Sequence, residues 1–413
     1  MKLSFYTAIT ALSVLLHTAC QGQTQPSRPV GAIRSIPLVK KGDQGIRTGA
    51  DQTTLYFNYL KGRRVGMVVN PTSIISSTKM PLVDSMVRAG ISIKKIFGPE
   101  HGFRGDASNG ATVSSSVDAK TGIPVVSLYG KTYKPAVEDL KDLDLMIFDI
   151  QDVGTRFYTY ISTLHYVMEA CAENNVELMI LDRPNPNGFF VDGPVLDSAF
   201  KSFVGMHPIP IVHGMTIAEY AQMINGENWL KNKVQCKLKI VKMANYQHDI
   251  PYVLPVNPSP NLNTAQSILL YPGICLFEGT TLSLGRGTMF PFQMVGHPAL
   301  KGKYSFSFTP VSIPGMSEDP PQKNQVCYGI DLRQYDTNQL RKSKHLNLTW
   351  LLNLYKTFPD KSHFFNAYFT KLAGADKLRK QIEAGSSEKA IRASWEPALS
   401  RFKTMRKKYL IYQ

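Results

Sequence analysis

The chain is short of acid: 31 Asp and Glu stand against 47 Lys and Arg, a formal charge of +16. Such an excess favours anionic partners, whether nucleic acid, anionic lipid or a carboxylate-bearing polymer. The usual marks of a nucleic-acid binder are missing, however. There is no zinc-finger spacing, no RNP-like aromatic run, and no dense basic block beyond "KTMRKKYL" at 403–410, so nucleic acid is not the expected partner. The five cysteines form no CxxC, which argues against a zinc site. Cys171, Cys236, Cys275 and Cys327 are expected as buried free thiols. Nucleotide signatures are lacking too: no GxGxxG follows the first apolar run, and "YGKT" at 129–132 has Val125 where a P-loop needs glycine. No cofactor is expected.

No apolar run is long enough to span a membrane. The first twenty residues, "MKLSFYTAITALSVLLHTAC", place Lys2 before an apolar stretch and small residues before Cys20, the anatomy of a signal peptide. Cys20, followed by polar "QGQTQPSRPV", is the expected lipidation point of an exported, periplasmic lipoprotein tethered to the membrane. Residues 21–54, rich in Gly, Pro and polar side chains without periodicity, read as a linker.

From residue 55 the texture changes. The apolar runs "RVGMVVN" (64–70), "ISIKKIFG" (91–98), "IPVVSLYG" (123–130), "DLMIFDI" (144–150) and "VELMILDR" (176–183) alternate with helix-period segments such as 158–175 and 215–226. Continuous apolar strands between amphipathic helices predict a Rossmann-like α/β domain built on a parallel sheet over 55–264. A smaller α/β domain is expected over 265–413, its last helix broken near Pro397. In an open parallel sheet the strand carboxyl ends share one edge, where ligands bind. That edge should gather Glu100, Asp149, Asp152, Asp182 and Arg183.

Glu100, after Pro99 and between Phe97 and Phe103, has the setting of a carboxylic acid whose pKa is raised by apolar surroundings. With Asp149 and Asp152 it supplies the carboxylates that glycoside hydrolysis needs. The same acids with His101 and His213 could hold a divalent metal, but no compact HxH or DxD accompanies them, and no metal is expected. His101, Arg104, Arg156, Tyr158, Asp182, Arg183, His213, Asn257, Glu278 and Arg286 are the candidate substrate-binding residues, donors and acceptors suited to sugar hydroxyls and a carboxylate. Thr216 and Glu219 stand at capping-box distance ahead of an apolar run.

The ordered motifs "NPTS", "FGPEHGFRGDA", "DIQDVGTRFYTYISTL", "LDRPNPNG", "GPVL", "PIPIVHGMTIAEYA", "NPSPNL", "YPGICLFEGTTLSLGRGT" and "CYGIDL" resemble those of the NamZ-type exo-β-N-acetylmuramidases, over roughly residues 55–413. The resemblance implies a nucleotide-free Rossmann-like domain, a smaller domain completing a cleft, and removal of terminal β-linked N-acetylmuramic acid (MurNAc) from peptidoglycan fragments. It implies Glu100 as the catalytic acid and leaves Asp149, Asp152 or the sugar's own acetamido group as its partner. The lactyl carboxylate of such a substrate suits the basic composition and an arginine receptor. A muropeptide-binding lipoprotein without activity and a metal-dependent amidase or esterase are the rival expectations; the residues indicate no protein partner.

Overall fold

The computed structural model describes residues 45–104 and 116–412; the expected signal segment with Cys20, most of the expected linker and Asp106 lie outside them. Twelve strands are present among the described residues: β1 (Val65–Val69), β2 (Ile74–Ile75), β3 (Met80–Pro81), β4 (Ile93–Gly98), β5 (Ser116–Val117), β6 (Pro124–Ser127), β7 (Leu145–Asp149), β8 (Glu177–Leu181), β9 (Leu238–Val241), β10 (Met294–His297), β11 (Phe306–Phe308) and β12 (Cys327–Asp331). Seven of them form one sheet in the order β5-β6-β4-β1-β7-β8-β9. All neighbours are parallel except the β5–β6 pair. The chain runs outward from β1 to β4 and then returns to β7 on its other side, so the order reverses beside β1, as in nucleotide-binding folds.

The sequence builds this sheet by burying both faces. β1, β7 and β8 are buried along their whole length. Val68, Met146, Phe148, Leu178 and Ile180 face one core, and Met67, Val69, Leu145, Ile147, Met179 and Leu181 face the other, the period-two alternation of a pleated strand. Helices Tyr160–Glu173 and Ile217–Gly226 cover the first face. The second starts as expected: Thr216 Oγ1 accepts from Glu219 N at 3.3 Å and Glu219 Oε2 accepts from Thr216 N at 2.9 Å.

Edge strand β9 escaped the sequence reading because it alternates Leu238, Lys239, Ile240 and Val241 instead of running apolar, the composition of a protected edge. The expected linker also ends early. Thr48 and Ala50 are fully buried, and a Cβ on Gly49 would lie 2.6 Å from both Asp182 N and Val241 O. Glycine lets this strap pass against the sheet edge where any side chain would collide; composition alone does not encode that contact.

The C-terminal part carries the antiparallel sheet β10-β12-β11 and a set of helices. The helix over Glu388–Arg406 runs unbroken through Pro397. Ile391, Trp395, Leu399 and Phe402 anchor one face of it in the core, and that packing outweighs the missing N–H. Within 255–296 the chain forms a helix at Ala265–Ile274, capped by Thr264, and a 3₁₀ segment at Cys275–Gly279. One hydrophobic core joins Val68 and Phe148 of the large sheet to Leu351, Trp395 and Phe402 of the C-terminal helices. The four described cysteines are buried and unpaired by disulfides.

Candidate active site

Strand ends at the carboxyl edge carry the polar loops. The loop after β1 is stitched to its neighbour: Ser73 Oγ donates to Asp149 O, and Gln151 N donates to Thr72 Oγ1 at 3.1 Å. Gln151 Nε2 in turn donates to Pro184 O at 2.6 Å. These bonds fix three loops against one another before any ligand arrives.

Beside them lies a pocket of about 190 Å³ lined by Glu100, Tyr129, Tyr158, Tyr160, Tyr271, Glu278, Arg286 and Tyr368, with Phe157, Phe203 and Phe292 behind. Its size suits one sugar unit more than an extended chain, since drug-sized sites run to several hundred Å³. Glu100 reaches it from the turn after β4, where His101 adopts φ +71 and Gly102 φ +75. Histidine tolerates this left-handed geometry better than most residues. Glu100 Oε2 accepts from Thr159 Oγ1 at 3.2 Å. Burial, then the Glu100 charge and its hydrogen bond, push the Tyr129 phenol upward, keeping it a donor. The expected walls Phe97 and Phe103 are instead buried in separate cores; tyrosines take their place.

Five of the candidate residues meet here: Glu100, His101, Tyr158, Glu278 and Arg286. Tyr158 is held by donating its hydroxyl to Pro258 O at 2.8 Å, and Tyr160 donates to the same carbonyl at 3.3 Å. Arg286 Nε and Nη2 both donate to Glu278 Oε1, at 3.0 and 2.5 Å. Burial works against the Arg286 charge, but the Glu278 carboxylate overrides it and the guanidinium is held more firmly protonated. Its Nη1 is buried without a hydrogen-bond partner among the described residues.

The other candidates lie outside the pocket, and several are bound to partners of their own. Asp149, fully buried, accepts from Arg183 Nε at 2.6 Å and Nη2 at 2.9 Å. Arg104 makes a matching two-bond pair with Asp118, at 2.9 and 2.8 Å. Arg156 is fully buried with no carboxylate partner: it donates to the carbonyls of Pro194, Ile209 and Leu372, each at 2.8 Å. Burial pulls its pKa down to about 9. Asp182 accepts from Ala218 N at 3.0 Å and Tyr412 Oη at 2.7 Å, and burial raises it to about 7. Asn257 is exposed and lines no part of the pocket.

Asp152 and His213 form a buried pair behind the tyrosines. Asp152 Oδ2 accepts from Gly154 N at 2.6 Å and lies 3.8 Å from His213 Nε2. Burial raises Asp152 to about 7, against backbone hydrogen bonds, and lowers His213 to about 3. Both groups therefore favour neutrality. Among the described residues no group of three or more His, Cys, Asp or Glu is arranged to hold a metal ion.

Sequence reasoning missed Tyr129, Thr159, Tyr271 and Tyr368 as pocket residues. Tyr129 had a usable signal, standing directly after a strand; Tyr368, on a short helix far along the chain, had none.

Two family models match the chain: Exo-beta-N-acetylmuramidase NamZ, N-terminal, over residues 65–266, and its C-terminal counterpart over 269–412. The chain is 41% identical over 387 residues to the peptidoglycan beta-N-acetylmuramidase NamZ of Bacillus subtilis strain 168, covering 89% of this chain and 91% of that protein. Two crystal structures of DUF1343 family proteins from Bacteroides fragilis share the fold. One has a TM-score of 0.83 at 45% identity and the other 0.77 at 30%, each covering 89% of this chain and 99% of the other.

Proposed function

Because the chain belongs to the NamZ exo-β-N-acetylmuramidase family, we propose that it is a glycoside hydrolase releasing terminal β-1,4-linked MurNAc from the non-reducing end of peptidoglycan fragments, in cell-wall turnover. The observation that carries the catalytic reading is Glu100. It is the carboxylate that a strand end delivers into a tyrosine-lined pocket, with Thr159 bonded to one of its oxygens. Glu100 acts as general acid: its proton passes to the glycosidic oxygen as the bond to C1 breaks. Of the four candidate arginines, Arg286 alone lines the pocket, and its unpartnered Nη1 is the donor for the lactyl carboxylate. Tyr158, Tyr160 and His101 contact the sugar ring and its substituents.

Incubation with MurNAc-GlcNAc or a chromogenic β-MurNAc should release free MurNAc, equally with and without EDTA. Glu100→Gln, an isosteric change, should fold normally and lose turnover by about 10²–10⁴-fold, the usual contribution of a positioned acid. A variant turning over near the wild-type rate would remove Glu100 from the mechanism. A peptidoglycan substrate supports an exported location for the enzyme. Lipidation of Cys20 supplies the tether, and incorporation of a labelled lipid precursor that disappears in Cys20→Ala tests it.

A further inference from the structure

Resting on that glycosidase reading, we propose that Glu278 is the second catalytic carboxylate, the base that opposes Glu100 across the scissile bond. Among the described residues, Glu100 and Glu278 are the two carboxylates that line the pocket. They arrive from different parts of the chain, Glu100 from the turn after β4 and Glu278 from the 3₁₀ segment Cys275–Gly279. Asp149 and Asp152, which sequence position favours for this role, are committed to Arg183 and to backbone N–H groups beneath the floor.

The two acids share one space. The Tyr368 phenol, itself part of the pocket wall, is pushed upward first by burial, then by the Glu278 charge, and more weakly by that of Glu100. Their surroundings separate their roles. Glu278 is clamped by a guanidinium through Oε1 alone, which leaves Oε2 to accept. Glu100 meets the hydroxyl donors of Thr159 and Tyr129. A guanidinium-paired carboxylate sharing the pocket with a hydroxyl-bonded one matches the base and acid that hydrolysis requires.

In the step itself, a water oxygen bonds to C1 as the C1–O bond breaks. The water proton passes to Glu278 Oε2, and the departing oxygen takes the bonding pair and the Glu100 proton. The new C1–O bond forms on the face opposite the one lost, so the β-glycoside yields the α anomer first. Arg286 is a positioning residue that orients Glu278.

The first product anomer, read by proton NMR during rapid hydrolysis of MurNAc-GlcNAc by the wild-type enzyme, should be α. Glu278→Gln should lose at least a hundredfold in kcat while unfolding at a temperature close to wild type. For Glu278→Ala, azide with an activated aryl β-MurNAc should restore activity at least tenfold and form the α-glycosyl azide. A β first product, which needs no variant to fold, overturns the proposal. So does a folded Glu278→Gln retaining more than a tenth of wild-type turnover. A wild-type enzyme that releases no MurNAc at all would instead overturn the muramidase reading on which this proposal rests.

Discussion

Replacing Asp149 by Asn separates a structural acid from a catalytic one. The change keeps the volume but removes the charge that two Arg183 hydrogen bonds complete, and both side chains are at most 2% exposed. Stranding a buried guanidinium costs about 3–5 kcal/mol, a large part of the roughly 5–15 kcal/mol that separates folded from unfolded domains. Unfolding entropy of about 2.1 cal/mol/K per residue over the unit Gln44–Gln413 gives ~0.8 kcal/mol/K, so Tm should fall by ~4–6 °C. Differential scanning calorimetry measures that shift, and MurNAc release at 20 °C, normalised to folded protein, measures what remains of kcat. The double variant Asp149→Leu/Arg183→Met should recover most of the lost stability, since an apolar pair of similar volume leaves no uncompensated charge. An Asp149→Asn protein with unchanged Tm and kcat lowered a hundredfold would refute the structural reading and return Asp149 to the reaction.

Asp152 should mark the pH dependence of stability. Burial raises its carboxyl from the ordinary aspartate range to about 7, so the folded state holds the extra proton and the contribution is lost as pH rises from ~4 through ~7, by up to ~1.4 kcal/mol per unit. In denaturant titrations across that window Asp152→Asn should gain stability relative to wild type as pH rises; a constant difference would contradict the buried neutral acid. His213, lowered to about 3, acts in the opposite sense between pH ~3 and ~6.5. Gly374→Ala should be severely destabilising, by more than the ~1–2 kcal/mol of a left-handed backbone. At φ +78 the new Cβ would stand 2.5 Å from Arg156 Nη2; chemical denaturation that shifts by less than 1 kcal/mol would mean that Arg156 yields easily.

The sheet was legible because its strands advertise burial on both faces, and the capping box because its two residues are local. Glu100 could be found for the same reason: a strand end followed by a charged turn is a short-range pattern. Asp149, Arg156 and Arg183 misled because their partners lie elsewhere in the chain. Sequence displays a charged side chain but not the carbonyl or carboxylate that occupies it. Arg156 looks like a ligand-binding arginine until Leu372, 216 residues away, is found accepting its hydrogen bond. Tyr368 joins the pocket only through packing of the C-terminal helices, which no local pattern reports.

The hydroxyl of Tyr412, bonded to Asp182 across 230 residues, also sets a schedule for the nascent chain. Glu219 Oε1 waits for the backbone N–H groups of Ile411 and Tyr412 in the same way. At about 5–20 residues per second, a ribosome that has made Asp182 needs roughly 10–50 s more to supply its partner. During that interval a buried carboxyl at the rim of the large sheet has no phenol to satisfy it. That clasp at the rim of the sheet closes only when synthesis has passed Tyr412.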